Sequence, residues 1–480
     1  MNSIEQCIWQ IAQKTPDKLA IKSGKSSATY QQLCNRIISA RDFLAERLHI
    51  GDTIILSAGK QIEFVYAYFG AHLAGIKVAP IDPTTNSTRL QHIQKETNAK
   101  YLLGFEGYDT GNENISLKEF SSLPEVEFQI PIFPEPTAIA DILFTTGTTG
   151  YPKGVPLSFN NELAAACNIN QYIGNTADDV ELLALPICHS FGLGRLRCCL
   201  SIGATIIILG SFANIKKLYR VIEEDHVTGF TMVPASWRYL NRFSGDKLQE
   251  YASQLRYIEM GSAYFSAEEK KHLASLLPNT RICMHYGLTE ASRSAFIEFH
   301  QDAEHLDSVG RPSPNTKIEV FNEHGHMMPP NQEGELCVKG AHVMQCYLNH
   351  TSEKDFFDGF FRTGDWGYKD SKGYIYLKSR KKELINVGGK KVSPNEVEEQ
   401  LMKIGGIADC ACVGAPDPEG ILGEVVKAYL VRDPQIGITF EEIAAQLQCH
   451  LENYKMPVLY QWIDKIPKTY NGKKQRFLLV

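Results

Sequence analysis

Apolar and polar positions along this chain follow two rhythms. Near the start, Ile4, Cys7, Ile8 and Ile11 recur at helical spacing on one face, and Thr15-Pro16-Asp17 closes that stretch. Residues 30–48 read as a second helix, after which Gly51-Asp52 turns the chain into a short apolar strand at 53–57. A helix near 61–74 and the apolar run 76–80 follow, and further strand-like runs stand at 141–144, 182–185, 204–209 and 228–233. This alternation predicts layered α/β packing.

Residues 105–137 break the rhythm. They are rich in Gly, Asn, Glu, Ser and Pro and predict a surface connection with little regular structure. Beyond about residue 370 the texture changes. Short strands near 374–377, 411–414 and 425–431 alternate with polar helical segments at 394–402 and 440–451. That stretch is long enough for a small domain of its own. The charged run KSRKKE at 378–383 is either a solvated face or the junction to it. No internal repeat or low-complexity tract interrupts the chain.

Composition narrows the class without naming a chemistry. The 480 residues suggest several domains or subdomains, and 43% hydrophobic with 22% charged residues is ordinary for a folded protein. A formal charge of −6, with no strongly basic block, argues against nucleic acid as the main partner. Glu5, Lys14, Asp17 and Lys18 leave no apolar run near the start for a secretory signal, and no run is long enough to cross a bilayer. The expectation is a cytoplasmic protein. The twelve cysteines form no CxxC pair and no zinc spacing, so they read as buried or partly buried free thiols.

The sharpest local feature is FTTGTTGYPKG at 144–154. An apolar strand runs into Thr145, Thr146, Gly147, Thr148, Thr149 and Gly150, with Lys153 close behind. Small residues let the backbone approach an anion, and their N–H groups and hydroxyls supply donors for phosphate oxygens. Lys153 adds a compact positive charge. Gly154 follows that lysine where a Walker A loop needs Ser or Thr, so an ordinary P-loop NTPase is excluded.

The segment resembles the phosphate loop of the adenylate-forming superfamily: acyl-CoA synthetases, luciferases and peptide-synthetase adenylation domains. Further motifs of that family follow in its order: YGLTE at 286–290, FRTGD at 361–365, RKKELINVGGKKVSPNEVE at 380–398 and PKTYNGKKQR at 467–476. Thr29-Tyr30 and Gly334-Glu335-Leu336 also stand where the family pattern has them. The resemblance spans essentially the whole chain. It implies a large N-terminal α/β domain of several subdomains, residues 1–381, and a small mobile C-terminal α+β domain, residues 382–480.

It also implies roles that the residue chemistry suits. Residues 145–150 and Lys153 would cradle the β- and γ-phosphates of ATP, and Thr289 would touch the α-phosphate. Glu290 would hold Mg²⁺, a hard cation that prefers carboxylate oxygen. Gly261, Ser262, Ala263, Tyr286 and Gly287 would line the adenine site. Asp365 would accept from both ribose hydroxyls, and Arg380 would bind ribose or phosphate. Lys473 would stabilise the charge that builds when a carboxylate attacks the α-phosphorus. Lys382 would be the hinge about which the small domain turns, bringing Gly388, Gly389 and Lys390 to the thiol side.

The segment PICHSFGLG at 186–194 resembles the stretch flanking the family's acyl pocket. His189 would gate the pocket mouth or serve as a structural histidine. Trp237 and Arg293 either touch the acyl group or pack beside it. The stretch lacks the Asp with which peptide-synthetase domains hold an amino group, so a fatty or aryl acid is favoured over an amino acid. Thr146 for Ser, Cys346 for Gly and Lys474 for an apolar residue depart from the family pattern without removing a proposed catalytic group. The expectation is acyl-AMP formation followed by transfer to a thiol, with CoA as acceptor. Loading of a carrier protein's phosphopantetheine, or a non-catalytic nucleotide-binding regulator, are the alternatives.

Overall fold

The computed structural model describes residues 1–108, 113–145, 153–388, 390–448, 450–469 and 472–479. The chain divides into two compact units, 1–318 with 338–361 and 319–337 with 362–480.

The first unit is built on two sheets. In the nine-stranded sheet, Arg281–Tyr286, Tyr257–Met260, Gly229–Met232, Val180–Leu183, Thr205–Ile208 and Leu19–Ser23 lie side by side in that order, all parallel. Antiparallel strands Ala295–Glu298 and Ser26–Thr29 flank them. The six-stranded sheet carries Tyr101–Leu103, Thr53–Ser57, Lys77–Ile81 and Ile139–Phe144 in parallel, closed by antiparallel Gly154–Ser158. Parallel strands are covered on both faces, which is why their sequences are almost continuously apolar.

The helices between them start and stop where local chemistry directs. Ser3 caps Ile4–Lys14, and Thr29 with Gln32 forms a capping box at Tyr30–Ala45. Helix Ser190–Ile202 ends on Gly203, whose φ of 86° only glycine adopts cheaply. Both long expected helices, 30–48 and 61–74, are present as Tyr30–Ala45 and Ile62–Leu73. The expected surface connection at 105–137 holds only the short pieces Asn114–Ile115 and Glu119–Ser122 among its described residues.

Helix Ser190–Ile202 is buried along most of its length although it carries two arginines. Arg195 grips Glu181 on strand Val180–Leu183, with Nε 2.9 Å from Oε1, and its Nη1 forms an ion pair with Glu259 at 3.5 Å. Arg197 is turned to the other sheet. It pairs with Asp141 of strand Ile139–Phe144, with Glu162 at 2.9 Å and with the Tyr68 hydroxyl at 2.7 Å. Asp141 Oδ1 also bonds His72 Nε2 at 3.2 Å, and His72 Nδ1 meets Glu5 at 2.7 Å. Each charge sits out of water beside an opposite one, the condition under which burying it is tolerable.

In the second unit, the 362–369 part of strand Phe360–Lys369 pairs antiparallel with Ile375–Arg380. A three-stranded sheet of Ile407–Pro416, Glu424–Arg432 and Leu459–Trp462 carries helices Pro394–Leu401 and Phe440–Leu447. Val392, Val397, Leu401, Cys412, Leu430 and Ile443 form its core. The second helix ends at Leu447, short of the expected 451, although Leu451 still packs into the same core. The charged run 378–383 is divided between the strand ending at Arg380 and a 3₁₀ turn, Lys381–Glu383.

Among the described residues, no helix is long and apolar enough to cross a membrane. The described cysteines are free thiols, mostly buried, with Cys167 exposed and Cys346 half-buried.

Candidate active site

Strand Ile139–Phe144 delivers the chain to the candidate phosphate loop. Thr145 N donates to the Lys153 carbonyl at 3.1 Å. Thr146, Gly147, Thr148, Thr149 and Gly150 lie outside the described residues. Lys153 is exposed, and its Nζ stands 4.7 Å over the Tyr347 ring. The Tyr347 hydroxyl donates to Glu290 Oε1 at 2.8 Å. Backbone bonds lock the same segment in place: Met344 N to Glu290 O and Leu348 N to Gly154 O, both 2.9 Å. Glu290 and Lys153, 137 residues apart in sequence, thus meet through one tyrosine. Thr289 beside Glu290 is half-buried.

The adenine candidates leave the sheet together. Met260 and Met284 are register partners on adjacent parallel strands, so Gly261-Ser262-Ala263 and Tyr286-Gly287 emerge from the same carboxyl edge. Open α/β sheets bind ligands at that edge. Ser262 holds φ at 74°, a left-handed conformation that costs a non-glycine residue about 1–3 kcal/mol and marks a constrained loop. A Cβ at Gly261 would lie 2.2 Å from the His285 ring, so the close approach requires glycine.

His285 Nδ1 meets Glu259 Oε1 at 2.7 Å, and Arg293 Nε donates to the same oxygen at 3.1 Å. Burial alone pushes the Glu259 carboxyl up, but Arg293 and His285 outweigh it and bring it down to about 2. Burial lowers His285 despite its bond to Glu259.

Of the acyl candidates, His189 occupies the N-cap position of helix Ser190–Ile202 and is half-buried. Arg293, 2% exposed, donates Nη1 to the Ser190 carbonyl at 2.7 Å and Nη2 to the Phe191 carbonyl at 2.8 Å. It therefore meets the helix start directly after His189. Trp237, also 2% exposed, lies in helix Pro234–Ser244 with its ring edge-on to His272 at 5.7 Å.

The second unit holds the remaining candidates. Asp365 and Arg380 are register partners, with Arg380 Nε 2.9 Å from Asp365 Oδ1. Arg380 Nη1 also reaches the Thr363 carbonyl at 3.0 Å. Lys382 is exposed, between Lys381, which pairs with Glu335 at 3.0 Å, and Glu383, which pairs with Arg476 at 2.5 Å. Gly388, at φ 56°, turns strand Ile385–Val387 back into Lys390–Val392. Lys390 Nζ is 4.6 Å over the Tyr454 ring, and Gly389 lies outside the described residues. Lys473 is exposed, its N–H donating to Thr469 Oγ1 at 3.1 Å and its carbonyl accepting from Thr469 N at 2.8 Å. The departure Lys474 pairs with Glu398 at 2.5 Å, so its charge is spent within the unit.

Reasoning from sequence missed Tyr347, Glu259 and His285. Tyr347 follows the flagged Cys346 but reads as an ordinary core aromatic. Glu259 is the one charge in the apolar strand Tyr257–Met260, directly ahead of the adenine loop, and that isolation was its signal.

The AMP-binding enzyme family matches residues 8–348, and the AMP-binding enzyme C-terminal domain matches 396–473. A 2-succinylbenzoate–CoA ligase of Staphylococcus aureus is 30% identical over 98% of each chain. Among solved structures, o-succinylbenzoate CoA synthetase (MenE) from Bacillus subtilis with the acyl-adenylate OSB-AMP superposes with a TM-score of 0.86, at 26% identity, over 98% of this chain and 97% of that one. The same enzyme with ATP and a magnesium ion gives 0.88 at 26% identity, covering 98% of both chains. The chain belongs to the AMP-binding, adenylate-forming enzyme family. Within that family it is an acid–thiol ligase, an AMP-forming acyl-CoA synthetase.

The Glu290 surroundings fit Mg²⁺. That ion keeps several waters and is usually held by one or two carboxylates together with substrate phosphates. Here one buried carboxylate, oriented by Tyr347, lies beside Lys153 of the candidate phosphate segment. Among the described residues no group of three or more His, Cys, Asp or Glu forms an all-protein cage.

Proposed function

We propose that this enzyme activates an aryl-bearing carboxylic acid with MgATP and transfers the acyl group to CoA. The observation that carries the reading is the Lys153–Tyr347–Glu290 constellation, which joins the end of the phosphate loop to a carboxylate suited to Mg²⁺. The relatives named for 2-succinylbenzoate match over nearly the full length, which favours an aryl acid over a simple fatty acid.

In the first step a carboxylate oxygen attacks the α-phosphorus and the α–β bridging bond breaks. Acyl-AMP and pyrophosphate result. Residues 145–150 and Lys153 hold the β- and γ-phosphates, and Thr289 the α-phosphate. Glu290 would hold Mg²⁺, which would supply charge that neutralises the phosphates. Tyr286, Gly287 and Gly261-Ser262-Ala263 take adenine, while Asp365 and Arg380 take ribose. Lys473 stabilises the charge developing on the phosphoryl oxygens, where a preorganised cation is worth most. In the second step the CoA sulfur attacks the acyl carbon and AMP leaves. No covalent enzyme intermediate is needed, because positioning and electrostatics suffice.

The division into 1–381 and 382–480, with Lys382 as hinge, belongs to the same reading. Between steps Lys473 withdraws, and Gly388-Gly389-Lys390 serves the thiol side. His189 stands at the acid's entrance, with Trp237 and Arg293 in the acid's surroundings.

The test is pyrophosphate release across benzoates, 2-succinylbenzoate and fatty acids, with CoA or a phosphopantetheinylated carrier protein as acceptor. Acid-dependent release with an aryl acid, followed by thioester formation on CoA, is the expected result. ATP binding without turnover of any acid would overturn it.

A further inference from the structure

The Glu259 carboxylate joins three chain segments. It sits two residues before Gly261 and is fully buried. Through Oε1 it takes His285 Nδ1 at 2.7 Å, and His285 directly precedes Tyr286. Through the same oxygen it takes Arg293 Nε at 3.1 Å, while the two terminal nitrogens of that guanidinium hold the carbonyls of Ser190 and Phe191. One carboxylate therefore spans the adenine loop, the Tyr286–Glu290 motif and the start of the acyl-segment helix.

The packing around it leaves little slack. A Cβ at Gly261 would strike His285, one at Gly194 would lie 2.5 Å from Arg293 Nη1, and one at Gly287 would lie 2.4 Å from Arg293 N. Arg293 itself is held at φ 52° and Ser262 at 74°, two left-handed non-glycine residues within the same cluster. Strain of this kind persists only where surroundings over-determine it. A purely structural ion pair would not need to gather three segments that each carry a separate binding duty.

We propose that Glu259 is a positioning residue for the ligase reaction: through His285 it sets the nucleotide loops, and through Arg293 it sets the helix start that faces the acid, so that acid and nucleotide are aligned by one shared anchor. This rests on the proposed reaction, whose binding duties it takes as given. A displacement near 1 Å costs an aligned reaction about a hundredfold, so an anchor common to both partners has kinetic value. The coupling runs along direct contacts inside one compact unit.

The experiment compares Glu259→Gln, His285→Gln, Arg293→Met and Arg293→Lys with the wild type. Acid-dependent pyrophosphate release is measured with 2-succinylbenzoate, or with whichever panel acid gives the highest rate, and AMP affinity is read by calorimetry without acid. Glu259→Gln is expected to raise KM for both ATP and acid by roughly tenfold or more, the weight of a lost charge-assisted hydrogen bond. His285→Gln is expected to weaken AMP binding and leave the acid KM nearly unchanged. Arg293→Met is expected to raise the acid KM, with Arg293→Lys restoring part of it.

Variants that only lower the unfolding midpoint, with both KM values within twofold of wild type, overturn the proposal. If Glu259→Gln does not fold, the split between the His285 and Arg293 variants decides the matter, and equal shifts of both KM values in each variant overturn it. A wild type without acid-dependent pyrophosphate release refutes the proposed reaction itself, and AMP calorimetry on the variants then still decides the nucleotide arm.

Discussion

The Tyr347 hydroxyl donates to Glu290 Oε1 at 2.8 Å, fixing the carboxylate in a single orientation. The ring of the same tyrosine underlies the Lys153 ammonium. Removing the hydroxyl alone, by Tyr347→Phe, keeps the ring and loses the bond. A hydrogen bond to a charged group is worth about 1.5–3 kcal/mol, so adenylation is expected to slow by roughly tenfold or more, with a raised Mg²⁺ requirement. Pyrophosphate release titrated against Mg²⁺ checks this, and an unchanged Mg²⁺ curve counts against the pairing having a catalytic role.

Lys473→Ala separates the two half-reactions. Loss of a preorganised charge at the phosphoryl oxygens is expected to cost about 10²–10³ in acyl-AMP formation. Thioester formation from synthetic acyl-AMP is expected to retain most of its rate. Equal losses in both steps would remove Lys473 from its assigned place.

Asp365→Asn tests the ribose assignment. The substitution exchanges one acceptor oxygen for a donor and breaks the 2.9 Å pair with Arg380. KM for ATP is expected to rise about tenfold, while KM for the acid stays put. A matching rise in both constants would point to a general loosening of the fold.

Gly261→Ala tests the close packing of the adenine loop. The added methyl would stand 2.2 Å from the His285 ring, and overpacking of this kind typically costs about 1–3 kcal/mol. Weaker AMP binding and a lower denaturant midpoint are expected together. An alanine variant with wild-type AMP affinity would show that the loop absorbs the shift elsewhere.

The His72 cluster gives stability a direction with pH. Burial pushes the His72 imidazole down, but bonds and charges from Asp141 and Glu5 carry it up to about 10, from an ordinary 6.5. Asp141 is held low in spite of burial, chiefly by Arg197 and then by His72, while burial pushes the nearby Glu162 well up. A folded-state value above the unfolded one means stability fully present below pH 6.5 and lost progressively as pH climbs towards 10. Thermal midpoints measured from pH 6 to pH 10 are expected to fall for the wild type, and to fall less for His72→Gln.

Much of the layered α/β core was legible because buried parallel strands are nearly all apolar and the helices Tyr30–Ala45 and Ile62–Leu73 alternate with them. The phosphate strand was legible for the same reason, since Ile142, Leu143 and Phe144 lead into small residues. The ion-pair networks were not. Glu5, Asp141, Glu181, Arg195, Arg197 and Glu259 are each buried to at most 5% exposure, yet in sequence a buried charge looks the same as a solvated one. Its partner is 14 to 69 residues away, 34 in the case of Glu259 and Arg293, so local spacing carries no trace of it. Tyr347 escaped because an aromatic among apolar neighbours ordinarily means core.

Arg195 and Arg197 are two residues apart on one helix and answer to carboxylates in different sheets. A single-residue insertion or deletion in the turn before them would rotate both by about 100°. Glu181 and Asp141 would then lose a partner at once, and an orphaned buried charge costs about 3–5 kcal/mol. The helix is thus locked to a fixed length and phase. Diversification of the acid, in nature or in the laboratory, has to proceed by substitution around the residues ahead of it and cannot proceed by lengthening or shortening the helix itself.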